Sequence, residues 1–317
     1  MTTDHIATAP ARFGGFDYLR VAGILAVVYI HGCDTSDVAR KGMKWLGFAV
    51  PCFFLMSAFL TQTAILKKGK SYGVLLVNKL RRLAPPFTAW STLYLCVRFL
   101  KSRATDQAFE TSLFGAAFWG DASHQLYFVP LLFYFFVIWI PIMLIARSQP
   151  FIAIACCVLG VIAAFWYGDP IQSLLPEKRW FIGDNLIWFP LGIVSALLVD
   201  RYRKWVPMLR WPAMIGGAIV CYSGFTNVVA VSLIVFFLAL SVTHQPSRWI
   251  ELLATYAFGV YLVHVLLIEA MQFLAPKLGI DVSRLSITLL ITLFAAIGSY
   301  LLCALLGRSS RTRWSVT

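Results

Sequence analysis

Arg20 and His31 lie eleven residues apart within FDYLRVAGILAVVYIHGCD (16–34), a run otherwise apolar enough for lipid. On a helix that separation is about three turns, roughly 16 Å along the axis, with an angular offset of only about 20°. Both side chains therefore look the same way. An ionisable group in hydrocarbon is costly unless it is paired or wetted. Arg20 can snorkel to nearby headgroups, but His31, in the far half of the run, needs a polar partner or water. The stripe has to face a bundle interior or a cavity. Asp17, three residues before Arg20, stands at the spacing of a helical ion pair. Imidazole exchanges a proton near neutral pH, so His31 has the chemistry of a general base. The bland alternative is structural: interfacial anchors at Asp17 and Arg20, and a histidine hydrogen-bonded between helices.

Other polar groups sit where lipid should reject them. His124 opens another apolar run with Tyr127 one turn on, placed either to touch a substrate or to rest in headgroups. Tyr261 and His264, three apart, share one face in the middle of a later run that also contains Glu269. They are candidates for a substrate contact or a packed polar pair. A basic cluster, Lys67, Lys68, Lys70, Lys79, Arg81 and Arg82, could hold phosphates by charge-assisted hydrogen bonds or simply keep its loop in the cytoplasm. Asp184 and Asn185 open a sixth run without matching any motif. The five histidines are scattered and no His or Cys pair has ligand spacing, so no metal is expected. A Gly-x-Ser-x-Gly elbow is also missing.

What must position these groups follows from composition. Of 317 residues, 60% are hydrophobic and only 13% charged, and the mean hydropathy is +0.77, which fits an all-α polytopic membrane protein rather than a soluble domain. The net charge of +13 sits in short clusters between apolar runs, a pattern of membrane topology and not of nucleic-acid binding. With about 20 residues needed per crossing, the sequence predicts ten spans. These lie near 16–34, 45–66, 82–100, 124–145, 150–167, 181–199, 206–224, 226–243, 251–274 and 285–307. The seventh is interrupted at its start by Pro207, Arg210 and Pro212, and a tight hairpin around Gly224 to Asn227 joins it to the eighth. The basic residues of alternate loops put both termini in the cytoplasm, whereas the outer loops mix signs, as in Asp34, Asp37, Arg40, Lys41 and Lys44. One bundle is expected over 1–317, with a short polar tail at 1–12 and a basic one at 308–317. The first run lacks a cleavage site and should remain as an anchor.

The motifs taken together resemble a known family. FDYLR with a histidine eleven positions after its arginine is similar to the opening span of the acyltransferase family 3 integral-membrane O-acyltransferases. VPCFFLMSAFLTQ (50–62) resembles their second span, with Ala58 where Gly is common. NKLRRLAPPFTAW (78–90) resembles a basic pair three apart before proline, with Lys79 in place of the more usual Arg and therefore without a bidentate fork there. HQLYFVPLLFY (124–134) is similar to a His, aromatic, Phe, Leu signature with Tyr127 for Trp. FGVYLVHVLLIE (258–269) matches a late Tyr-Leu-x-His span.

The resemblance implies transfer of an acyl group, usually acetyl, from cytoplasmic acyl-CoA to a hydroxyl of an extracytoplasmic saccharide, glycan or glycolipid, in a bacterial inner membrane. It implies catalysis by His31 with Arg20 and Asp17. Arg20 either holds a CoA phosphate or fixes the helix through Asp17. It also implies donor binding by Lys79, Arg81 and Arg82, and acceptor contacts from His124, Tyr127, Tyr261 and His264. Acetyl-CoA would be a co-substrate, with no metal or permanently bound cofactor. The partners would be the acceptor and membrane lipids. A transporter or flippase for a saccharide or lipid-linked intermediate, using the same stripe as a path, is the alternative.

Overall fold

The structure is a computed structural model and describes residues 13–33, 45–69, 71–105, 112–173, 185–224, 227–282 and 284–316. The polar tail at 1–12, the charged outer loop at 34–44, Lys70 and Asp184 lie outside the described residues.

Apolar residues on every side of a helix leave it no solvated face, so such helices must bury one side in protein and turn the other to lipid. The chain does this with eleven α-helices and no strand among the described residues: α1 (Gly15–Gly32), α2 (Ala49–Lys68), α3 (Tyr72–Thr105), α4 (Leu113–Trp119), α5 (Phe128–Ser148), α6 (Pro150–Ser173), α7 (Trp188–Arg201), α8 (Arg210–Ser223), α9 (Val228–Ser241), α10 (Arg248–Lys277) and α11 (Leu285–Arg308). Of these, α2, α5, α10 and α11 are each long and apolar enough to cross a membrane. The chain is a multi-pass membrane protein.

Several helices depart from the sequence-predicted spans for readable reasons. The third, expected over 82–100, is embedded in the 34-residue α3, about 50 Å long at 1.5 Å per residue against a hydrocarbon core of about 30 Å. Its first turns carry Asn78, Lys79, Arg81 and Arg82, and the Tyr72 hydroxyl at its start donates to the Val137 carbonyl of α5 at 3.4 Å. At the seventh span the run divides into a 3₁₀ segment, Arg203–Leu209, containing Pro207, followed by α8; a proline removes the donor that an α-helical ladder needs there. The hairpin between α8 and α9 ends at Asn227, whose side chain caps α9 by accepting from the Val229 and Ala230 amides at 2.8 and 3.2 Å.

α1 runs through the middle of the bundle, packed against α2, α9, α10 and α11. Glycines on it permit this closeness: a Cβ on Gly15 would overlap the Ala239 carbonyl of α9, and one on Gly32 would overlap Thr292 of α11. Backbone cannot yield as a side-chain tip can. Gly15→Ala is therefore expected to destabilise the protein by about 3 kcal/mol, the upper end for overpacking, measured as a lowered midpoint of thermal unfolding in detergent. Gly217→Ala is its control, because a Cβ there meets only Ile234 at 3.6 Å, and its midpoint should not fall.

Two further contacts set α10. The Tyr94 hydroxyl of α3 donates to the Leu262 carbonyl at 2.9 Å and accepts from the Leu266 amide at 3.1 Å. It thereby enters the hydrogen-bond ladder of α10 around His264. The C-terminal turn, Arg313–Ser315, folds back so that Val316 is buried against Gly259, and Trp90 donates to the Ser315 carbonyl at 3.0 Å.

Candidate active site

At the N-terminal end of α1, Asp17 is buried and accepts from Arg20 Nη1 at 2.7 Å. The helical spacing of three residues brings them together, and the carboxylate offsets a guanidinium whose side chain is only one-third exposed. Both line a cavity of about 720 Å³ enclosed by α1, α2, α3, α5 and α10. From α3, Asn78, Lys79 and Arg82 face the same space. Lys79 is held inward: its Nζ donates to Thr61 of α2 at 2.7 Å and stands 4.0 Å from the centroid of Phe136, an attractive cation–π geometry. The cavity wall therefore presents three cations and one carboxylate, a surface suited to a ligand with several negative charges.

At the other end of α1, about 24 Å from Gly15 along the axis, three imidazoles meet. His31 Nδ1 is 2.9 Å from His124 Nε2, with ring centroids 4.5 Å apart and the rings inclined at 62°. His264, on α10, has its ring centroid 5.2 Å from that of His31. Its Nδ1 lies 3.1 Å from the Val260 carbonyl. An Nδ1–H donating there leaves Nε2 as a lone-pair acceptor, buried and with no partner among the described residues. The rings meet edge-on or tilted and do not converge on one point. Among the described residues, no group of three His, Cys, Asp or Glu side chains is arranged to hold a metal ion.

His124 is carried by the turn that joins α4 to α5, and local chemistry makes that turn rigid. Gly120 has φ +76°, and a Cβ there would strike the Leu126 backbone, so only glycine closes the turn without strain. Ser123 donates to Gln125 Oε1 at 2.5 Å, Arg98 to the Asp121 carbonyl at 3.4 Å, and the Tyr261 hydroxyl to the Gln125 carbonyl.

Between the two ends stands an aromatic partition. Phe53, Phe128, Phe258 and Tyr261 line the cavity, with Phe128 and Tyr261 ring centroids 5.5 Å apart, Phe53 and Phe128 6.1 Å apart, and Phe258 stacked on Tyr261 at 6.4 Å. His31 does not line the cavity. The expected stripe is thus present at both ends, with closed rings across its middle.

Of the residues singled out in the sequence, the structure gathers Asp17, Arg20, Lys79 and Arg82 at the cavity and His31, His124 and His264 at the opposite end of α1, with Tyr261 in the cavity wall 6.1 Å from the His264 ring. Arg81 is exposed and outside the cavity lining, and Tyr127 is half-buried at the start of α5, also outside it. Sequence reasoning missed Thr61, which fixes Lys79, and Asn78, which lines the cavity beside it; the only available signal for either was a polar residue on the inner face of a basic or apolar motif. It also missed the partition, whose four rings come from three different helices.

A family model described as an acyltransferase domain, Acyl_transf_3, matches residues 13–308, nearly the whole chain. No curated protein and no solved structure matches it. The five motifs read from the sequence all fall inside that match, as do both ends of the α1 stripe, and the chain belongs to acyltransferase family 3, as a multi-pass membrane acyltransferase.

Proposed function

We propose that the protein moves an acyl group, acetyl in the first instance, from cytoplasmic acyl-CoA to a hydroxyl of a saccharide, glycan or glycolipid on the far side of a bacterial inner membrane. It does so as a bundle of about ten spans with both termini in the cytoplasm. The observation that carries this reading is the division of α1: a cationic cavity at one end and a histidine cluster at the other. The basic clusters around Lys67, Arg81, Arg147 and Arg201 favour the cytoplasm for the cavity end. CoA brings phosphates, which Arg20, Lys79 and Arg82 bind by charge-assisted hydrogen bonds, and its pantetheine arm follows α1 toward the histidines. The partition rings turn aside to let the thioester pass. His31 then takes the proton of the acceptor hydroxyl as that oxygen attacks the thioester carbonyl, and CoA leaves as the thiolate. His264 and Tyr261 bound the acceptor side. No metal or resident cofactor takes part.

The test is donor binding. A ligand that binds only the folded protein stabilises it, by about 2.7 kcal/mol at a hundred times its Kd. CoA is expected to raise the midpoint of thermal unfolding of the purified protein by several degrees, and pantetheine, which lacks the nucleotide phosphates, much less. Arg82→Ala should lose most of the CoA shift while keeping the unliganded midpoint, since Arg82 is exposed at the cavity wall. A wild-type midpoint indifferent to CoA refutes the proposal.

A further inference from the structure

We infer that His124 is a proton relay: it accepts the Nδ1 proton of His31 and delivers the acceptor hydroxyl's proton to the solution on the side away from the cationic cavity. This rests on the acyl-transfer reading above.

A hydrogen bond of 2.9 Å between two imidazole nitrogens needs one N–H and one lone pair. Of the two pairings, only His31 Nδ1–H donating to His124 leaves His31 Nε2 as a lone pair that can take a proton from a hydroxyl. The proton gained at Nε2 must then leave, and three groups of described residues bear on its direction. His264 is completely buried, with its Nδ1 already engaged by the Val260 carbonyl, so a proton handed to it has no way out. The direction of the cavity is taken by the pantetheine arm as it passes Phe53, Phe128 and Tyr261, and beyond them stand Arg20, Lys79 and Arg82, which repel another positive charge. His124 is exposed to solvent and held in place by a rigid turn. His31 keeps part of its own surface in solvent, and among the described residues His124 is the hydrogen-bonded partner that carries its Nδ1 proton to water.

The step balances as follows. The hydroxyl oxygen bonds to the thioester carbonyl carbon while its proton passes to His31 Nε2. The Nδ1 proton of His31 crosses to His124 Nε2, and His124 gives its own Nδ1 proton to water. The carbon–sulfur bond breaks with its electron pair on sulfur, and the CoA thiolate takes a proton from water on the cavity side. Both rings return to their starting tautomers by exchange with water. Each turnover thus releases one proton at one face and consumes one at the other.

Two protons moving in one step leave a signature that a merely structural histidine does not. Membrane vesicles containing the full chain and its native acceptor are given radiolabelled acetyl-CoA, and initial rates are measured in mixtures of light and heavy water. The wild-type rate is expected to bow downward with deuterium fraction. His124→Gln keeps a hydrogen-bonding amide but cannot relay, so it should be slower by about 10- to 100-fold, less than loss of the base itself, with a straight plot. A straight wild-type plot overturns the relay without any variant, and so does a His124→Gln rate within twofold of wild type. If wild-type vesicles transfer no label, the acyl-transfer reading falls and takes the relay with it. Transfer with a straight plot sinks the relay alone.

Discussion

His31→Ala is expected to lower the rate of acyl transfer by roughly 10²- to 10⁴-fold, the usual worth of a positioned general base, while leaving the fold intact. The expectation of a stable variant comes from what surrounds the ring. His31 is half-buried near the end of α1, where alanine is a better helix former. Its bonded neighbour His124 is exposed, so water replaces the lost hydrogen bond. Packing of this end of α1 depends on Gly32 against Thr292 and on Cys33, whose Sγ lies 3.5 Å from the Thr292 hydroxyl, and neither is altered. Thermal unfolding of the variant should remain within a few degrees of wild type, and its CoA shift should persist because the cationic cavity is untouched. A variant that binds CoA, melts normally and still transfers acyl groups within tenfold of the wild-type rate would remove His31 from the chemistry.

Asp17→Ala is expected to act at the other end and on both stability and donor affinity. The carboxylate is 1% exposed and faces Arg20 at 2.7 Å. Removing one partner of a buried ion pair strands the other, at about 3–5 kcal/mol when both are fully enclosed. Arg20 keeps a third of its side-chain surface in solvent, which discounts the cost to about 2 kcal/mol. Without its carboxylate the guanidinium swings toward the headgroups, so it no longer faces the cavity, and CoA should bind about tenfold more weakly, or about 1.4 kcal/mol. Asp17→Asn retains the shape and one acceptor oxygen and should lie between. Calorimetric unfolding and CoA titration on the same preparations read the two effects separately. An Asp17→Ala protein with wild-type melting and wild-type CoA affinity would show the pair to be an ordinary interfacial contact.

How far the sequence carries toward this arrangement differs by residue. The α1 stripe is legible because helical periodicity is a local property: three residues from Asp17 to Arg20 and eleven from Arg20 to His31 place all three on one side without knowledge of any neighbour. The family motifs are local for the same reason. The bond between His31 and His124 joins positions 93 residues apart, and nothing in either segment encodes a partner. His124 is identifiable from the sequence as a residue at a rim but not as one paired to His31. Lys79 is visible as a cation in a cluster of six, yet its separation from Arg81 depends on which side of α3 each occupies against α2 and α5. The Thr61 hydroxyl and the Phe136 ring select Lys79, while Arg81 remains exposed. The length of α3 was hidden by its charges. A hydropathy ruler stops where lysine and arginine begin, although the helix continues through them.

The ring of Phe53, Phe128, Phe258 and Tyr261 bears on the cell as much as on the reaction. In the proposed reaction a donor enters from one compartment and an acceptor from the other; a protein that admits both is at risk of becoming a pore, and a continuous water column along α1 would short-circuit the ion gradients that the membrane stores. Four aromatic side chains in mutual contact, two of the contacts edge-on and one stacked, act as a plug in that column. Enlarging it, for instance by shaving Phe128 to alanine, would be felt first as a leak.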